Sequence, residues 1–120
     1  MGVTQVTVTV RNSALPERTW DGLFLVDTDA VDCLVPAKYL RELGIEPKGK
    51  RTYELADGSE VKLEIGVAQI EFMGDIVGTT VIFGDDAAEP ILGVTALESV
   101  GIEVDPRNQR LKRLPAARLK

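Results

Sequence analysis

The stretch that most constrains this chain is Leu23 to Pro36, LFLVDTDAVDCLVP. Leu23, Phe24, Leu25 and Val26 form an apolar run without a polar break, which predicts a strand buried on both faces. Asp27 follows at once. A carboxylate at the end of a buried strand costs free energy unless it is paired or used, so position 27 is the first candidate for chemistry. The apolar run resumes at Leu34, Val35 and Pro36, so the acidic segment is a tight loop, which is how a scaffold presents a reactive group.

At 120 residues the chain is sized for one domain with a real core, read here as residues 1–120 with a basic tail at about 115–120. Apolar residues make up 44% and charged residues 28%, which sets disorder aside. A net charge of -5 argues against nucleic acid as a partner. Basic residues do gather late, at Arg107, Arg110, Lys112, Arg113, Arg118 and Lys120. Without interleaved aromatics they read as a solvated strand and tail. Histidine is absent, which removes Cys/His and Ser/His/Asp catalysis and most zinc sites. The lone Cys33 has no partner for an internal disulfide, and its apolar neighbours make it a buried, inert thiol. Chemistry falls to carboxylates, hydroxyls and backbone, with no cofactor expected. No apolar run is long enough to span a bilayer, and no signal-peptide pattern is present. Met1-Gly2 resembles a myristoylation start, but Val6 stands where Ser or Thr is required. The expectation is a soluble, cytoplasmic protein without a membrane partner.

Along the chain, Val6, Val8 and Val10 alternate with Thr7 and Thr9, the period of a half-buried strand. Glu17 to Trp20 is a second strand that leads through Asp21-Gly22 into Leu23 to Val26. Pro36 opens a short helix with Leu40 and Leu43 on one face and Gly44 at its end, and Ile45 to Lys50 is a linker. Thr52 to Leu55 and Val61 to Val67 flank Ala56-Asp57-Gly58-Ser59, in which Asp-Gly is a strong hairpin signal, and Val61, Leu63, Ile65 and Val67 make one apolar face. Ile70 to Phe72, a turn near Met73-Gly74-Asp75, and Ile76 to Phe83 continue the meander to the turn at Gly84-Asp85-Asp86. Pro90 to Gly93 is a short buried strand. Thr95 caps a brief helix with Leu97 and Val100 inward and Gly101 as its stop. Ile102 to Val104 and Arg110 to Leu114 form a last hairpin around Asp105-Pro106-Arg107-Asn108. The fold class is all-β with two short helices.

Three uses of the acidic loop can be weighed. A calcium loop counted from Asp27 needs an oxygen ligand at position five, glycine at six and glutamate at twelve, where the chain has Val31, Asp32 and Lys38. That use fails, and no metal is expected. In the second use, Asp27-Thr28-Asp29-Ala30-Val31 after an apolar strand resembles the nucleophile loop of the haloacid dehalogenase-like phosphatases, with Phe83-Gly84-Asp85-Asp86 resembling their magnesium loop. That scaffold needs parallel strands with helices between them, and Arg51 to Phe83 offers hairpins.

In the third use, apolar residues, Asp27-Thr28, Ala30, then Leu34-Val35-Pro36 and a short helix resemble the active-site loop of the retropepsin-like aspartic proteases. The hairpin Tyr53 to Val61, with Ala56-Asp57-Gly58 at its tip, falls where that family carries its flap. Ile91-Leu92-Gly93 before a short helix, then Gly101 to Pro106, is similar to its closing segment. The ordered set spans Leu23 to Leu114. The resemblance implies an acid protease barrel, one protomer of a twofold homodimer, that hydrolyses an extended peptide or protein. Asp27 would be catalytic, with Thr28, Asp29 and Ala30 completing the loop and Ala56, Asp57 and Gly58 covering substrate. Thr28 would brace the two loops across the axis. The terminal strands, Val3 to Val10 and Arg110 to Leu114, would be candidates for an intersubunit sheet. Ile91-Leu92-Gly93 carries no second aspartate, so a second copy must supply the other acid.

The family pattern has glycine after the threonine; this chain has Asp29, which adds bulk and charge beside the dyad. Either the side chain points away and activity survives, or the dimer is silent and holds peptide in the same groove. Plainer readings stand beside these. Asp27 suits a strand-end turn, Asp32 a helix-start or surface carboxylate, Asp57-Gly58 any hairpin, and Trp20, Tyr53 and Phe83 packing, with Tyr53 also within reach of a cleft from the flap stem.

Overall fold

The structure, a computed structural model, describes residues 4–105, 107, 108 and 110–115. Met1-Gly2, Val3, Pro106, Arg118 and Lys120, which figure in the sequence reading, lie outside the described residues. The strands are β1 (Gln5–Asn12), β2 (Leu15–Asp27), β3 (Cys33–Pro36), β4 (Gly49–Glu54), β5 (Glu60–Phe72), β6 (Asp75–Gly84), β7 (Ile91–Gly93), β8 (Ile102–Asp105) and β9 (Arg110–Arg113). Helices α1 (Ala37–Glu42) and α2 (Val94–Ser99) follow β3 and β7. The fold is all-β with two short helices.

One seven-stranded sheet runs β1-β2-β7-β3-β6-β5-β4, and a further pairing of β1 with β5 closes it into a barrel that leaves β4 outside. Strands β8 and β9 form a separate hairpin. Two pairings are parallel, β2 with β7 and β3 with β6, and a reading of the chain as successive hairpins does not anticipate them. They put residues distant in sequence side by side, Asp27 opposite Gly93 and Val35 opposite Phe83.

The core is Val8, Val10, Phe24, Val35, Leu40, Ile70, Phe72, Val81, Leu92 and Leu97 with their neighbours, all buried. Burial of both faces does not hold for the Leu23 to Val26 run, because a barrel wall has a core on one side only. Phe24 is fully buried, while Leu23 is 54% exposed. Strand β2 is also continuous through Trp20, Asp21 and Gly22, with Trp20 stacked on Tyr39 of α1 at 4.1 Å between ring centroids. Strand β5 likewise runs unbroken and uses its faces differently along its length. Val61, Leu63 and Ile65 are half-buried on one face, and Ala68, Ile70 and Phe72 fill the barrel from the other. Val67 continues the first face beyond any cover and is exposed, contrary to the expected apolar stripe.

Helix α1 starts after Pro36 and has Leu43 as its C-cap, followed by Gly44 at φ +79, the left-handed conformation that stops a helix with glycine. The N-cap of helix α2 is Gly93, the residue before Val94, so Thr95 is not its cap. The N–H groups of Val94 and Thr95 donate to the carbonyls of Ala30 and Val31, so no capping side chain is needed. No helix among the described residues is long and apolar enough to cross a membrane.

Candidate active site

Asp27 is the last residue of β2 and half-buried. Its Oδ1 accepts the Asp29 N–H at 3.0 Å and its carbonyl accepts the Ala30 N–H at 3.1 Å. This is an aspartate turn closed on itself, which holds the carboxylate in one orientation. The loop is fixed from behind by the two α2 amide contacts, at 2.8 and 3.2 Å. Gly93 makes that approach close: a Cβ there would lie 2.6 Å from the Asp32 backbone. Asp29 does not adopt a positive φ, so glycine is not required for the turn. Its side chain is exposed.

In front of the loop lies a groove of about 870 Å³. Asp27, Asp29, Ala30, Val31 and Leu34 line it from the loop and β3, Ile82 from β6, and Tyr53, Leu55, Ala56, Val61 and Leu63 from the β4–β5 hairpin. Of the flap residues expected from sequence, Ala56 lines the groove. Asp57 and Gly58 instead build the hairpin tip. Asp57 Oδ1 accepts the N–H and Oγ–H of Ser59, which hold its carboxyl below the usual range, and Gly58 takes φ +86. Thr28 is exposed and lines a different cavity, of about 510 Å³, with Val94, Leu97, Ile102 and Leu114.

Asp32 departs most from its sequence reading. It is 5% exposed, and its Oδ2 accepts from Arg51 Nη1 and from the Tyr53 hydroxyl, each at 2.6 Å. The Arg51 guanidinium is held charged more firmly by this bond and by the attraction of Asp32. Burial, then the bond to Asp32, pushes the Tyr53 hydroxyl up to about 12. Tyr53 is thus a groove residue bonded across to the loop. The one available signal was Arg51-x-Tyr53, two residues apart and so on one face of a strand. Its partner is set only when the hairpin folds back.

The acids of the phosphatase reading are not brought together. Asp85 and Asp86 line another cavity, of about 480 Å³, and Asp86 Oδ1 accepts the Lys38 N–H at 3.0 Å. Cys33 is buried, its Sγ accepts the Gly93 N–H at 3.4 Å, and burial raises the thiol to about 11. Among the described residues no cluster of three or more His, Cys, Asp or Glu is arranged to hold a metal ion.

No protein-family model and no curated protein matches the chain. Solved structures do. An inhibitor complex of EIAV protease superposes with TM-score 0.59 at 18% identity, covering 87% of this chain and 93% of that one. The foamy viral protease-reverse transcriptase bound to an RNA/DNA hybrid gives 0.58 at 16%, covering 79% of this chain and 11% of that much longer one. Simian foamy virus (mac) protease gives 0.56 at 13%, covering 78% and 91%. The barrel with its two short helices and these superpositions make this chain a carrier of the retropepsin-like fold, the fold of the retroviral proteases.

Proposed function

We propose that the chain is one protomer of a homodimeric aspartic endopeptidase whose catalytic pair is Asp27 from each copy. The observation that carries this reading is the Asp27 carboxylate, oriented by the Asp29 N–H and lining a groove that the β4–β5 hairpin borders. Two carboxylates brought together cannot both ionise, so one proton is shared and the pair titrates as a unit. The ionised member takes a proton from water as the water oxygen bonds to the peptide carbonyl carbon. The protonated member gives its proton to the carbonyl oxygen. Collapse of the tetrahedral species breaks the C–N bond as the first carboxyl gives the departing nitrogen the proton it took from water, and a hydroxyl proton returns to the second carboxylate.

An extended substrate would lie between loop and hairpin, its backbone bonded strand-fashion. Thr28 lines a cavity that shares no lining residue with the groove, which suits a partner's loop there. Strand β9 pairs only with β8 among the described residues and offers an edge for an intersubunit sheet. Strand β1 suits that role less, because β2 and β5 already occupy its edges at Thr9 to Arg11.

Asp29 supports a second reading, a silent dimer that holds peptide, because this exposed acidic residue lines the same groove as Asp27. The backbone argues for the active reading, since the Asp29 N–H serves Asp27 without a positive φ. Cleavage of an unfolded protein at mildly acid pH, abolished by Asp27→Asn and blocked by pepstatin, is the expected result. A chain that binds peptide without cleaving it, and gains cleavage with Asp29→Gly, refutes the active reading. A strictly monomeric chain refutes both.

A further inference from the structure

The segment 49–64 leaves the barrel as a two-stranded ribbon. Strand β6 pairs with β5 only from Ile65 onward and β1 only at Gln69 to Glu71, so residues 60–64 have β4 as their sole strand partner. Strand β4 is exposed along its length except for half-buried Tyr53. A ribbon of two strands is marginal in water and needs an anchor. Among the described residues, the side-chain hydrogen bonds from this ribbon to the rest of the molecule both end on one oxygen, Asp32 Oδ2.

Asp32 is a fixed post. Its main chain is pressed against Gly93, and the residues before it are bonded to the start of α2. A carboxylate buried to this degree is stable only while donors reach it, so each donor it holds is held firmly. Arg51 and Tyr53 sit opposite Leu63 and Val61, so they grip the stem and leave the tip at residues 55–59 free.

We propose that Asp32 is a positioning residue whose carboxylate, held by Arg51 and Tyr53, latches the 49–64 ribbon beside the Asp27 groove and sets how that groove admits an extended peptide. The part that concerns peptide rests on the function proposed above; the latch itself does not. It acts through the ribbon and touches no reacting atom.

Amide hydrogen exchange of the full chain tests it without any ligand. Tyr53→Phe removes one hydroxyl from a half-exposed strand and leaves the fold intact. It is expected to speed exchange in residues 49–55 by about tenfold, the loss of one hydrogen bond to a charged acceptor, with residues 8–10 and 23–26 unchanged. Arg51→Gln behaves likewise, and Arg51→Lys, which keeps a charge, recovers part of the protection. In the cleavage assay both loss variants raise KM several-fold with kcat within about twofold. Exchange in the ribbon equal to the parent protein in both loss variants overturns the latch, and so does a rise shared equally by the barrel. If the parent protein cleaves nothing, the proposed function falls while the exchange result still decides the latch.

Discussion

Replacing Gly93 with alanine tests how the Asp27 loop is built. Gly93 has φ −85, so alanine meets no backbone penalty and only contact decides the outcome. A Cβ there would lie 2.6 Å from both the carbonyl carbon and oxygen of Asp32 and 2.9 Å from the Val31 oxygen, well inside the 3.4 Å where ordinary contact begins. These are main-chain atoms, with Ala30 and Val31 tied to α2, so no side chain can swing aside. Relief requires the loop to part from β7. Overpacking of this kind costs roughly 1–3 kcal/mol, and the rigid neighbours place Gly93→Ala near the upper end, about 3 kcal/mol. With a urea slope of roughly 1.5 kcal/mol per molar, the unfolding midpoint falls by about 2 M at unchanged slope. Gly78 of β6 is the internal control: nothing lies within 4 Å of its Cβ position, and its φ is not positive. Gly78→Ala is expected to stabilise by about 0.5–1 kcal/mol through the unfolded chain. Equal midpoints for the two variants would refute the close-approach account. Loss of cleavage by Gly93→Ala at temperatures where it remains folded would tie that approach to Asp27.

Cys33 makes stability fall at alkaline pH. Its thiol is raised from 9.0 to about 11, so between those values the folded chain holds a proton that the unfolded chain releases. Stability is full below pH 9 and declines as pH rises through 11, by roughly 3 kcal/mol in all, and urea midpoints of Cys33→Ala should show a shallower alkaline limb. Tyr53 titrates in the same direction, so the limb does not vanish; an unchanged limb would refute the assignment to Cys33. Phe24→Ala empties a fully buried site that packs against Trp20 at 5.9 Å between rings, and costs about 3–5 kcal/mol by the same denaturation assay. A loss below about 1 kcal/mol would mean that the barrel collapses onto the gap.

Local patterns carried much of the fold. The alternation in β1, the Asp57-Gly58 turn and the Gly44 helix stop each depend on a few adjacent residues, so each was legible. Met73 and Gly74 both take positive φ, at 53 and 83, in the tight turn that joins β5 to β6, where the sequence had only marked a turn. The loop from Asp27 to Ala30 was readable for the same reason, because the aspartate closes its turn within three residues. The role of Asp32 is not legible in this way, because a carboxylate's value is set by what reaches it. Its donors lie 19 and 21 residues away on a strand whose approach no local signal encodes.

By itself, then, the sequence determined the element types, the turns and the acid that ends β2, since these follow from side-chain period and short-range hydrogen bonding. Tertiary structure decided which faces stay wet, as Leu23 and Val67 show, and which strands run parallel. It also decided that Asp32 ties the ribbon to the loop. Those outcomes depend on pairings between residues far apart in the chain, such as β1 with β5 some sixty positions away, which no local pattern encodes.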